Sequence, residues 1–226
     1  MKPVGILGGM GPEATILLMQ KCLDAVPAHD DADHIPLIVH QNPQVPSRIK
    51  ALIDGTGDDP GPVLASMAYG LHIAGATALA MPCNTAHHYA AAIKDATDLP
   101  FLNMLELTAE TLSDAGAHRV GMLASPATRL TGVFDTPFAA RGLTPVNVPD
   151  DGAILDIIRA VKAGASQAAL KANLAQQAHI LLDQGADHLL VACTELSLIT
   201  DALPADAPWT DSLDCLVDGI IRFARA

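Results

Sequence analysis

Short apolar runs alternate with helix-like stretches along the whole chain, and the apolar runs form two matching series. Val4-Gly5-Ile6-Leu7 opens the chain, and Val120-Gly121-Met122-Leu123 repeats it near the midpoint. Gly75-Ala76 begins a run that ends Pro82-Cys83-Asn84-Thr85, and Gly185-Ala186 begins one that ends Cys193-Thr194-Glu195. In both, the cysteine falls eight positions after the glycine. A short apolar run bounded by turn residues reads as a buried strand. The repeat predicts two pseudo-symmetric lobes facing one another, each supplying one strand that ends in a cysteine.

The remaining pattern fills in both lobes. It predicts a tight turn at residues 8–12, a helix over 13–25, a strand over 35–40 and a proline-bounded loop over 41–48. A short helix starting near Arg48 and capped by Ser47, helices over 62–74 and 86–97, and a short strand over 101–104 follow. Residues 105–115 read as a helix that crosses to the second lobe. That lobe continues with a strand (119–124), a loop (125–128), a helix (129–141), a strand (144–148) and helices over 153–162 and 166–183. Pro204, Pro208 and Trp209 mark a late loop, and residues 211–225 a terminal helix that returns to the first lobe. Strands alternating with helices mean an α/β fold with parallel sheets. The expected architecture is two doubly wound parallel-sheet lobes, residues 1–104 plus 209–226 and residues 105–208, with the active site between them. Such sheets bind ligands beyond the carboxyl ends of their strands, where both cysteines fall.

Composition narrows the function. Half of the 226 residues are apolar and only 3% are aromatic, which suits a core of Ala, Leu, Val and Ile. The formal charge of −12 argues against nucleic acid and against anionic membranes as partners. No apolar run is long enough to span a bilayer. Met1-Lys2-Pro3 leads straight into strand-like sequence, so no export signal is expected and the predicted location is cytoplasmic. There the four cysteines, Cys22, Cys83, Cys193 and Cys215, read as free thiols.

Several motifs offer chemistry. Gly9-Met10-Gly11-Pro12-Glu13-Ala14 fits a dinucleotide-binding turn. However, the second strand ends His40-Gln41-Asn42, without the carboxylate that would hold a ribose, so NAD ranks low. The turn reads instead as a backbone cradle for a small anion at a helix start, with Thr15 adding a hydroxyl. His87 and His88 are adjacent and cannot face one metal from a helix, and no metal-binding spacing occurs, so no metal is expected. His87 reads as a helix residue supporting the hydrogen bonding near the site. Cys22 and Cys215 read as inert small hydrophobes. Cys83 and Cys193 adjoin Asn84, Thr85, Thr194 and Glu195. A thiol, with an ordinary pKa of about 8.5, can be tuned to act as acid or base near neutral pH. Two thiols on opposite sides of one carbon meet the requirement for inverting a stereocentre without a cofactor.

Gly8-Gly9-Met10-Gly11-Pro12, Ala14-Thr15, Pro82-Cys83-Asn84-Thr85-Ala86-His87 and Cys193-Thr194-Glu195-Leu196 resemble the signatures of the aspartate/glutamate racemase family, aspartate racemases in particular. The resemblance spans nearly the whole chain. It implies a pyridoxal-independent isomerase with no cofactor, two pseudo-symmetric lobes, a homodimer, and a small-molecule substrate that is an acidic amino acid. Cys83 and Cys193 would be the paired acid and base. Asn42-Pro43 with Pro46 and Arg48 resembles the family segment whose arginine binds a substrate carboxylate, and Val161-Lys162-Ala163-Gly164 the segment whose lysine does so. A dicarboxylate needs such cations. Ser47 stands where aspartate racemases more often carry Asp, which bears on side-chain preference. Asn84, Thr85 and Thr194 would hold the α-carboxylate and amine, with the turn at Met10 and Gly11 and with Glu195 completing the substrate-binding set. Related expectations are another enzyme of the superfamily, of hydantoin racemase or maleate isomerase type, or a two-lobed amino-acid-binding protein without turnover. An arylmalonate decarboxylase would keep only one of the two cysteines.

Overall fold

The computed structural model describes the backbone of residues 1–226 and every side chain except that of Gln167. The repeated Gly-Ala pairs end helices. Gly75 (φ 98°) and Gly185 (φ 85°) take up the left-handed backbone that glycine tolerates. Their N–H groups donate to His72 and Leu182, while those of Ala76 and Ala186 donate to Leu71 and Leu181 at 3.0 and 3.1 Å. This paired closure is a Schellman stop. Strand pairing begins only afterwards, at Ala78 and His188.

In the first half the elements are β1 (Val4–Gly8), α1 (Pro12–Asp24), β2 (Leu37–Gln41), α2 (Gly61–Ile73), β3 (Ala78–Ala80), α3 (Ala90–Asp95), β4 (Phe101–Leu102) and α4 (Met104–Asp114). The second half holds β5 (Arg119–Ala124), α5 (Pro126–Leu130), α6 (Asp135–Ala139), β6 (Thr144–Asn147), α7 (Asp151–Lys162), α8 (Gln167–Asp183), β7 (His188–Ala192), β8 (Trp209–Asp211) and α9 (Ser212–Arg225). The two four-stranded sheets run β2-β1-β3-β4 and β6-β5-β7-β8, and every pairing is parallel. The strand order is the same in both lobes, as the repeats predict.

The repeat extends to packing. A Cβ on Gly5 would lie 2.9 Å from Ala76 Cβ, with Leu79 and Leu71 next. A Cβ on Gly121 would lie 2.9 Å from Leu189 Cδ2, with Ala186 and Leu181 next. The second trio stands 110 positions after the first, as Cys193 does after Cys83. In each lobe the central strand carries glycine so that the Schellman-closed helix can press against it.

The lobes exchange helices. Helix α4 leaves the first sheet, yet Leu105, Ala109 and Leu112 are buried with Val120, Met122 and Leu190 of the second. Helix α9 leaves the second sheet, yet Leu213, Leu216, Val217 and Ile220 are buried with Val4, Ile6 and Leu18 of the first. Each crossing begins at a capping side chain: Asn103 accepts from Leu105 N–H, and Asp211 from Leu213 N–H. The two crossing helices pack against each other.

Three expectations need correction. Trp209 belongs to β8 rather than to a loop, so residues 209–211 pair with β7 in the second sheet and the boundary falls after Asp211. Three residues are too few for a periodic signal. The helix expected over 86–97 is a 3-10 turn (Thr85–Tyr89) followed by α3. The helix expected over 129–141 is split into α5 and α6, and α5 starts earlier, where Ser125 Oγ caps Ala127 N–H. The short helix does start at Arg48, with Ser47 Oγ accepting from Lys50 N–H at 3.3 Å, and it continues as a π-turn over Lys50–Asp54. All four cysteines are free and buried. No helix among the described residues is long and apolar enough to cross a membrane.

Candidate active site

Strands β3 and β7 end at a cavity of ≈ 100 Å³ lined by Cys83 and Cys193, one from each lobe. The apolar strands deliver each cysteine to a sheet edge, and a 3-10 turn follows at once. Those turns place the next two side chains, Asn84 and Thr85 or Thr194 and Glu195, on the same cavity. The lobes are stitched together there. Asn84 Nδ2 donates to Ser212 Oγ at 2.9 Å, and Ser212 donates onward to the Val191 carbonyl at 3.0 Å. Thr194 donates to the Pro82 carbonyl at 3.3 Å. Because Ser212 spends its proton on Val191, it can only accept from Asn84. Asn84 Oδ1 is then a buried acceptor with no partner among the described residues, suited to an ammonium group.

The two thiols have unlike surroundings. Cys193 donates to Glu195 Oε2 at 3.0 Å, and Glu195 Oε1 lies 2.6 Å from Lys162 Nζ. Burial pushes the Cys193 thiol well up; the Glu195 carboxylate adds to this, and the Lys162 ammonium opposes it. Burial pulls Lys162 down, but Glu195, followed by the two cysteines, more than offsets it, so the lysine pKa is raised. Thr85 occupies the position after Cys83 that Glu195 occupies after Cys193, and it shares a hydrogen bond with Thr128 at 3.0 Å. Lys162 ends helix α7, which is capped by Asp150. It lines the cleft as one half of an ion pair, with its side chain still 37% exposed at the helix end.

Arg48 lines the cavity beside Ser47 and Ile49. Its Nη1 donates to the Pro46 carbonyl at 3.0 Å, while Nε is buried without a partner among the described residues. Loop carbonyls hold the guanidinium, and unspent donors are left for an anion. Met10 lines the cavity; Gly11 does not, although a Cβ there would lie 3.7 Å from Glu195 Oε1. Thr15 adds no hydroxyl to the site. It is buried, accepts from Gly9 N–H at 2.9 Å and donates to the Gly11 carbonyl, holding the turn itself. His87 is buried beneath the site: Nε2 accepts from Met104 N–H at 3.2 Å, so Nδ1 donates to the Cys83 carbonyl at 2.8 Å. Burial drives its pKa down to about 4, keeping it neutral. No cluster of three or more potential metal ligands occurs among the described residues.

Sequence reasoning missed Ser125, Ile158 and Ser212. Ser125 was findable, since it follows Val120 by five residues as Gly9 follows Val4. Ile158 was findable too, since it lies one helical turn before Lys162 on the same face of α7; Ser212 carried no signal, because only the chain crossing brings it in.

Two sheets of identical order, closing on a cleft with a buried thiol on each side, define a two-lobed α/β enzyme. Residues 7–220 match the family model described as Asp/Glu/Hydantoin racemase, so the chain belongs to that family and is an isomerase of the racemase type. It is 26% identical over 223 residues to the broad specificity amino-acid racemase RacX of Bacillus subtilis (strain 168), covering 96% of each chain. The Picrophilus torridus aspartate racemase structure aligns with a TM-score of 0.85 at 28% identity, covering 100% of this chain and 95% of that one. A glutamate racemase from Francisella tularensis in complex with D-glutamate aligns with a TM-score of 0.70 at 14% identity over 98% of this chain and 80% of that one, a likeness of fold.

Proposed function

We propose that the protein interconverts the L- and D-forms of an acidic amino acid, aspartate or glutamate, using Cys83 and Cys193 as paired base and acid. The observation that carries this reading is the placement of two free, buried thiols on one cleft by pseudo-symmetric strands. One thiolate breaks the α-C–H bond and becomes a thiol; the opposite thiol donates its proton to the other face of the carbanion. Cys193, held as a thiol by burial and by Glu195, donates in one direction, and Cys83 removes the proton. Asn84 Oδ1 takes the substrate ammonium. Thr85, Met10 and the backbone at Thr194, all on the cavity wall, face the α-carboxylate, where charge develops in the transition state. Arg48 takes the side-chain carboxylate. Glu195 serves as partner to Cys193 and Lys162 rather than as a direct substrate ligand.

A second reading widens the substrate range beyond acidic amino acids. Lys162 already has a carboxylate partner in Glu195, leaving Arg48 as the cation with unspent buried donors. The likeness to a broad specificity racemase over 96% of both chains points the same way. Chiral chromatography of a panel of L-amino acids incubated with the protein distinguishes the two. Turnover confined to aspartate and glutamate supports the first, turnover of uncharged amino acids at comparable rates supports the second, and no turnover of any amino acid rejects both.

A further inference from the structure

A further connection repeats between the lobes, outside the cavity lining. The residue four positions after each cysteine is buried: His87 in the first lobe, Ser197 in the second. His87 bonds the Cys83 carbonyl through Nδ1 (2.8 Å) and the N–H of Met104 through Nε2 (3.2 Å). Met104 is the first residue of α4. Ser197 bonds the Cys193 carbonyl through its backbone N–H (3.3 Å) and donates its hydroxyl to Asp211 Oδ1 at 2.9 Å. Asp211 caps α9. Helices α4 and α9 are the two that leave one sheet to pack in the other lobe. An imidazole in one lobe and a hydroxyl with a carboxylate in the other thus make the same link, from the cysteine backbone to the start of the departing helix. The link repeats although the residues do not, which marks it as more than generic filling of the core.

Building on the two-thiol reading, we infer that His87 and the Ser197–Asp211 pair are positioning residues, each fixing one thiol independently of the other. Each enantiomer of the substrate yields its α-proton to the one thiol it faces. If the opposite thiol is displaced, the carbanion is reprotonated by the thiol that formed it. In deuterated water that S–H becomes S–D, so the α-position gains deuterium without inversion. This occurs from one enantiomer only; the other depends on the displaced thiol for proton removal and reacts slowly throughout.

The test uses the full chain in deuterated water with separate L- and D-forms of the amino acid that wild type racemises fastest. Chiral separation with mass spectrometry reads inversion and deuterium together for wild type, His87→Gln, Ser197→Ala and Ser197→Thr. The expected result is a loss of inversion of about 10²-fold in His87→Gln and Ser197→Ala, the scale of a 1 Å misplacement, with KM little changed. The ratio of exchange to inversion should rise for one enantiomer in His87→Gln and for the opposite enantiomer in Ser197→Ala. Ser197→Thr, which keeps the hydroxyl, should recover both. Equal losses for both enantiomers with an unchanged ratio, or no loss, would overturn the inference. Ser197→Ala removes a single oxygen and carries the test alone if His87→Gln does not fold. A wild type that exchanges no α-proton would reject the two-thiol reading, a result distinct from the failure of the variants.

Discussion

The Cys193 thiol donates to the Glu195 carboxylate at 3.0 Å, while the matching residue after Cys83 is Thr85, whose hydroxyl is engaged with Thr128. Two lobes with the same strand order therefore present thiols in different electrostatic settings. One thiol is buried against a carboxylate, which favours its protonated form; the other has the neutral Thr85 at the matching position. The asymmetry comes from single residues laid on a symmetric frame.

Glu195→Gln removes the negative charge beside Cys193 and leaves the Lys162 ammonium close by. The thiol should then titrate at lower pH than in the wild type. Lys162→Met should move it the opposite way, since the ammonium opposes the upward shift. Thiolate absorbance followed against pH, in a Cys22→Ala, Cys83→Ser, Cys215→Ala background so that Cys193 alone is read, checks both signs. Shifts in the same direction for the two variants would contradict this account of the pair.

In the proposed site Arg48 binds the side-chain carboxylate, and its buried Nε has no partner among the described residues. Hydrogen bonds to charged groups contribute about 1.5–3 kcal/mol, so Arg48→Gln should lower kcat/KM for aspartate or glutamate by roughly 10- to 100-fold. Uncharged amino acids, if turned over, should be much less affected. Steady-state kinetics on one acidic and one neutral substrate separates the two effects.

Two buried groups give opposing pH dependences of stability. His87 is neutral with a folded pKa of about 4, against about 6.5 when unfolded. Its contribution of about 3 kcal/mol is present above pH 6.5 and is lost as the pH falls through 4. Burial raises Asp211 to about 6, against about 3.9 unfolded. Its contribution, of similar size, is present below about pH 3.9 and is lost as the pH rises through 6. Asp211→Asn keeps the acceptor that caps α9 but removes this titration. Urea unfolding at stepped pH should show the wild type losing stability relative to the variant between pH 4 and 6. A difference that is flat in pH would contradict the assignment.

Gly121→Ala should destabilise by about 1–3 kcal/mol, the usual cost of overpacking a core. Its Cβ would fall 2.9 Å from Leu189 and 3.1 Å from Ala186 and Leu181. Chemical denaturation measures the change directly, and a neutral result would mean that the strand–helix spacing relaxes more easily than this packing implies.

The lobes, the parallel strands and both cysteine turns were legible because each leaves a local trace: an apolar run, a glycine helix stop, a polar residue at a strand end. The Gly-Ala pairs were found for a partly mistaken reason, since they close helices rather than open strands. Arg48 and Lys162 were placed by resemblance, and the ion pair from Lys162 to Glu195 was invisible because its partners lie 33 positions apart on different elements. Strand β8 escaped because three residues carry no periodicity. Ser212 and the His87 and Ser197 links escaped because they exist only once α4 and α9 have crossed between lobes.

The most direct test of the central claim is deuterium incorporation at the α-carbon, followed by NMR in deuterated water. L- and D-aspartate and L- and D-glutamate are supplied separately to wild type, Cys83→Ser and Cys193→Ser, with thiols reduced and no cofactor added. The account predicts exchange with inversion by wild type on at least one of these pairs, and loss of inversion in both variants. Inversion that survives in either variant, or a folded wild type that exchanges none of these substrates, would contradict it.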